Sequence, residues 1–258
     1  MAVRAAAALV VAASAGAVPA GAQLRDGFRA TLAPGGDDTV TPFVPFGFTL
    51  HLRGGQYDAG SACMNGWVSL LLPFDGQSCP YPGQTTVLGS LAGFADVHGV
   101  AVVGFARDLR SDAPASGQLG YGTGLVEGRR AFGFTWDGVF DWSGDVDTPT
   151  PNVFQILFVD RSADFAAGDF DVEYNYGLLQ GTPAATIAGL ADDGGLSGVP
   201  YAAPVTPTAD GRVVQAVRGG SVVATTVNVV PEPSTHALAV SGAGALAAVA
   251  GLRRRRPA

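Results

Sequence analysis

The sequence has no lysine, only three histidines and two cysteines among 258 residues, and no long run of strong helix formers. Each scarcity excludes a class of chemistry. Zinc sites need clustered His and Cys ligands, and His51, His98, Cys63 and Cys79 show no recognised ligand spacing. Nucleophilic hydrolysis needs a base beside its nucleophile, yet no serine sits in a Gly-x-Ser-x-Gly elbow and both central histidines read as strand residues. No phosphate-binding or dinucleotide-binding glycine pattern stands in a strand–helix context. The expectation is a protein that is not an enzyme and carries no cofactor.

Glycine and proline are plentiful instead, at 37 and 17. Both ends read as addresses. Residues 1–22 combine Arg4, an apolar run over 5–18 and the small-x-small close Ala20-Gly21-Ala22. This is the three-part plan of a secretory signal peptide, cut between Ala22 and Gln23 after passage through the Sec machinery. Only Arg4 and Arg253 to Arg256 among the cations, and Glu232 among the acids, lie in the two ends. The part between keeps ten cations against twenty-one acids, a net charge near −11. A domain this acidic repels phosphate backbones, which excludes nucleic acid as a partner. Cys63 and Cys79 both lie in the exported part, where an oxidising compartment allows a disulfide closing a loop of about 15 residues.

At the other end, Pro231-Glu232-Pro233-Ser234 forms a rigid, extended segment (231–234). Residues 235–252 carry no formal charge if His236 is neutral, enough to span a bilayer as a transmembrane helix. Four arginines follow at 253–256 and stay cytoplasmic by the positive-inside rule. The block 231–256 resembles the PEP-CTERM sorting signal. That resemblance implies processing by a membrane-embedded exosortase near Pro231, Glu232 and Pro233. The protein would be anchored transiently, then released to the cell surface or extracellular polymer.

The middle reads as short strands between turns. Segments 43–52, 67–72, 97–105, 131–136, 153–159, 170–176 and 213–217 are rich in β-branched and aromatic residues. Turn clusters include Arg53-Gly54-Gly55 and 192–195, and one helical turn is expected near 186–190. The expected fold is all-β, a single sandwich-like domain. Residues 23–65 serve as lead-in and first strands, 66–211 as its body, and 212–230 as last strands and spacer.

Within the body, Asn65-Gly66-Trp67, Leu91 to Val97, the aromatic strand at Phe132, Phe134 and Trp136, Asn152-Val153-Phe154-Gln155, and Tyr174-Asn175-Tyr176 follow one another. Their order is similar to the nidogen-like (NIDO) extracellular domain. The resemblance departs at Gly93 and His98, where proline and a second aspartate are usual. It implies a cell–matrix adhesion setting, with extracellular polysaccharide or a matrix protein as partner, and it names no chemistry.

Two acidic runs remain. Asp169, Asp171 and Glu173 alternate along one strand and would share a face, as hard oxygen ligands for calcium. Asp137, Asp141, Asp145 and Asp147 interleave with Trp136, Phe140 and Trp142. They open an alternative reading, a secreted carbohydrate-active hydrolase or glycan binder. By alternation Trp136 belongs to the core, whereas Trp142 lies in a turn and is exposed.

Overall fold

The computed structural model describes residues 24–71, 79, 90–142, 151–180, 187–192, 194 and 201–227. The signal-peptide residues Ala22 and Gln23, the sorting residues Pro231, Glu232 and Pro233, the expected membrane helix, and Asp145 and Asp147 lie outside them. Fourteen strands and one helix are described: β1 (Thr31–Leu32), β2 (Val44–Leu52), β3 (Gly55–Cys63), β4 (Trp67–Ser69), α1 (Leu91–His98), β5 (Val100–Ala106), β6 (Leu109–Arg110), β7 (Gln118–Val126), β8 (Arg129–Asp141), β9 (Asn152–Asp160), β10 (Phe170–Tyr176), β11 (Ile187–Asp192), β12 (Tyr201–Pro204), β13 (Arg212–Arg218) and β14 (Ser221–Val227). They form two antiparallel sheets, ordered β1-β7-β8-β9-β10-β13-β14 and β12-β11-β5-β4-β3-β2, with β6 against β8.

Three hairpins share one device. Arg53-Gly54, Glu127-Gly128 and Gly219-Gly220 each place two consecutive residues at positive φ between strands. Such turns match the right-handed twist of the strands they join, and glycine enters that region without a Cβ penalty.

The main core lies between the sheets. Trp136 stacks on Phe154 with centroids 4.6 Å apart, and its Nε1 donates to the Met64 carbonyl at 2.9 Å. Phe46 stacks on Phe158 at 5.0 Å and tilts against Phe132 at 5.1 Å. Burying each such ring contributes roughly 2–3 kcal/mol. A second, smaller core lies on the far side of the larger sheet, where Phe28 packs with Val126, Ala131, Leu157 and Val159.

Two local expectations change. Residues 187–192 form β11 rather than part of a helical turn, because β5 and β12 pair with it on either side. Backbone pairing on both edges outweighs the weak local preference of a small-residue stretch. Residues 91–98 form α1, capped by Ser90, whose Oγ accepts from Gly93 N at 3.2 Å. The strand expected from residue 97 therefore begins at Val100.

Candidate functional site

The acidic residues divide into those held by arginine and those that are gathered together. Asp171 and Glu173 do share one face of β10, yet neither joins a ligand set. Asp171 pairs with Arg218 at 2.6 Å and Arg161 at 3.6 Å. Glu173 is buried and accepts from Arg25 at 2.6 and 3.0 Å and from Asn175 at 2.8 Å, with Arg212 at 3.4 Å. Asp169 accepts from the backbone of Gly219 and Ala166. These oxygens accept from fixed donors, and the three carboxylates are not gathered within 4.8 Å of one another.

The second run is dispersed too. Asp137 pairs with Arg29 from the N-terminal segment. Asp141 is gripped by Arg107 through two bonds and accepts from Asn152 at 3.2 Å. An acid–base pair needs two carboxylates aimed at one substrate, and Asp137 and Asp141 are instead tied to different arginines. His51 lies against Gly168, its backbone N donating to the Gly168 carbonyl at 2.8 Å. The side chain of His98 lies outside the described ones.

A cluster does form at one end of the sandwich. Carboxylate oxygens of Asp37, Asp38 and Asp108 all lie within 4.8 Å of one another, each residue half-buried, the sole such group among the described residues. Asp37 Oδ1 is buried without a hydrogen-bond partner among them. Burial, then the charges of Asp38 and Asp112, raise the Asp37 carboxyl above its ordinary range, against the pull of Arg110. Three hard oxygen donors in this arrangement suit calcium chemically.

Asn65 builds the end of the sandwich on which the cluster stands. Its Nδ2 donates to Asp38 Oδ1 at 2.7 Å and to the Cys79 carbonyl at 2.5 Å, while its Oδ1 accepts from Leu109 N at 2.7 Å. Its own carbonyl accepts from Arg107 N at 3.2 Å. One buried amide thus ties together the Asp38 loop, the chain around residue 79 and the approach to β6. Cys63 and Cys79 are joined as a disulfide with Cα atoms 5.6 Å apart, fixing the same region covalently. Gly66 follows at φ +92°, where an added Cβ would collide with the Phe105 carbonyl. Only glycine fits there.

Beside the acids stands Trp142, 46 % exposed, with the Arg110 guanidinium 4.3 Å from its ring centre. Its backbone N donates to the Asp108 carbonyl at 2.9 Å. Trp136 is wholly buried. The two tryptophans therefore divide between core and surface as their places in the strand and turn imply. Sequence reasoning passed over the acidic cluster itself. Asp37-Asp38 after Gly35-Gly36 is a visible local signal, but nothing in the sequence joins it to Asp108.

A family model described as NIDO related matches residues 22–214, and one described as a PEP-CTERM protein-sorting motif matches residues 229–256. No curated protein and no solved structure matches the chain. The sorting motif marks the protein for export, transient anchoring in the membrane and exosortase processing, before it reaches the surface or extracellular space. Neither description names a catalytic activity. With more than half of its length matched, this chain belongs to the NIDO-related family and carries a PEP-CTERM sorting motif at its C-terminal end.

Proposed function

We propose that the protein is a non-catalytic adhesion module of the extracellular matrix, binding polysaccharide or a matrix protein once sorted to the cell surface. The observation that carries this reading is the junction of an NIDO-related β-sandwich with a sorting tail. The fate of Asp137, Asp141, Asp169, Asp171 and Glu173 supports it, since each is held by arginine or backbone donors. Protein recovered from the host's surface should be retained by the host's purified extracellular polymer and should leave a glycan panel chemically unchanged. Retention by neither polymer nor matrix protein would sink the reading, and turnover of any glycan would replace it with the hydrolase alternative.

Trp142 favours a second, narrower reading, in which the partner is a glycan. A half-exposed indole carrying the Arg110 guanidinium over its ring offers apolar contact to a sugar ring and, through the guanidinium, hydrogen bonding to sugar hydroxyls. Substituting Trp142→Ala should then weaken polymer retention at least tenfold while leaving the melting temperature within a few degrees, because the ring is half outside the fold.

A further inference from the structure

Among the described residues the two sheets end in four edge strands, and three of them are poorly suited to further pairing by their own chemistry. β1 is two residues long and pairs with β7 only at Gly120 and Tyr121, and the rest of that edge is broken up by Gly122 and Gly124 of β7. β12 has four residues and ends at Pro204, which lacks an N–H. β2 contains Pro45 and turns at Gly47 (φ +82°), where its register with β3 breaks between Pro45 and Leu50. Short strands, proline and local irregularity are the standard protections of a sheet edge.

The fourth edge carries less protection. β14 reads Ser-Val-Val-Ala-Thr-Thr-Val, seven residues without charge or proline, and it is exposed from Val223 to Val227. Val223 is 62 % and Val227 53 % exposed. Its one irregularity is an extra residue, Val223, where Ala216 pairs with Ala224 and Val217 with Val222. That bulge sits toward the hairpin, and residues 224–227 beyond it pair regularly with β13. Beyond Gly220, whose carbonyl accepts from Arg53 N, no described strand pairs with the outer side of β14.

The chain just past β14 decides the occupant. Asn228-Val229-Val230 continues the uncharged, β-branched run up to Pro231, and the sorting motif match starts at 229. While the tail is in the membrane, every copy carries this edge on the same side of the bilayer, and Val227 precedes the apolar stretch at Thr235 by eight residues in sequence. A domain carrying a net charge near −11 repels its own kind, and this strand is the uncharged part that two copies can bring together. Antiparallel pairing about a two-fold axis between Thr225 and Thr226 sets the threonines of one copy against those of the other, a cross-strand pair sheets favour, and Ala224 against Val227. A strand pair this short buries well under the ~1,200 Å² of a stable free dimer. Tethering to one surface supplies the missing effective concentration.

We infer that β14 is a self-pairing edge, through which two membrane-tethered copies of this chain join their larger sheets before exosortase processing. The inference rests on the sorting motif and is independent of the adhesion reading. It is tested on the full chain anchored in host membranes, with one cysteine introduced at Thr225 and a short bismaleimide cross-linker. Cys63 and Cys79 are already joined, so the introduced thiol reacts alone. An axis at or between Thr225 and Thr226 leaves the two introduced residues within about 8 Å. Cross-linked dimer should exceed by at least tenfold that from a Leu125→Cys control, on the exposed β7–β8 hairpin. Adding Thr226→Lys sets like charges across the axis on an exposed residue and should abolish the band, while Thr226→Val should retain it. Equal dimer from both cysteines, a Thr225→Cys dimer that survives Thr226→Lys, or linkage only to a different protein would each overturn the inference.

Discussion

At the scale of single residues, four polar side chains do the work of joining loops and strands. Asn65, Asn152, Gln155 and Asn175 are all buried, and each stands in a segment by which the sequence resembles the nidogen-like domain. Gln155 exchanges bonds with the backbone of Arg25 at 3.1 Å and donates to Thr135 at 2.8 Å. Asn152 Oδ1 accepts from Gln180 N at 2.7 Å. Substituting Asn65→Ala strands at least the Leu109 N–H and the Cys79 carbonyl in a buried setting, at about 1–3 kcal/mol for each unsatisfied group. The expected loss is therefore about 2–6 kcal/mol, read from denaturant midpoints at unchanged m-value. Asp37 should behave in the opposite way. Its folded carboxyl is raised above the ordinary value of 3.8, so its ionisation favours the unfolded chain. The favourable contribution exists below the ordinary value and is lost as pH rises through the folded one. Asp37→Asn should accordingly melt higher than the parent at pH 7 in chelator, and the gain should vanish near pH 3. A parent that is the more stable at pH 7 in chelator would show that the carboxylate is paired in solution.

At the scale of elements, the N-terminal segment is the piece that sequence patterning described least well. Residues 24–30 cross the outer face of the larger sheet before β1 pairs with β7. Gly120, Gly122, Gly124 and Gly133 leave the space it fills, the last two meeting the Phe28 ring. Glycine-rich β7 was invisible as a strand for the same reason, because its side chains are supplied by another segment. Strands 43–52, 131–136, 153–159, 170–176 and 213–217 were legible because alternating aromatic and β-branched residues carry a period of two that survives folding. Arg25 clamps the segment through Glu173, and that bond holds the guanidinium above its ordinary range, while burial lowers neighbouring Arg212. Phe28→Ala should empty the smaller core and cost about 3–5 kcal/mol. Limited proteolysis should then cut within residues 24–30 before anywhere in the larger sheet. Simultaneous cleavage throughout would mean that the segment and the sheet unfold as one unit.

At the scale of the whole molecule, the addresses were the most legible part and the acidic cluster the least. A sorting tail is a linear order of proline, apolar residues and arginine, so it is complete in the sequence. Asp37, Asp38 and Asp108 are brought together only by folding, and no periodicity links them. The same distinction governs processing. The domain folds outside the membrane, where its Cys63–Cys79 bond can form, and the tail is a separate linear signal that begins after β14 ends. Replacing Pro231, Glu232 and Pro233 together with alanine leaves every described contact of the sandwich untouched. The variant should therefore keep its disulfide and its melting temperature, yet remain in the inner membrane at full length with its arginine cluster attached. Mass spectrometry of envelope and medium reads both properties at once. The parent should appear without residues 1–22 and with a new C-terminus near 231–233, and the variant should still end at Ala258. A variant released with the parent's C-terminus would mean that the helix and arginines suffice for processing. A variant lost altogether would mean instead that folding depends on the tail, which the closed two-sheet core argues against.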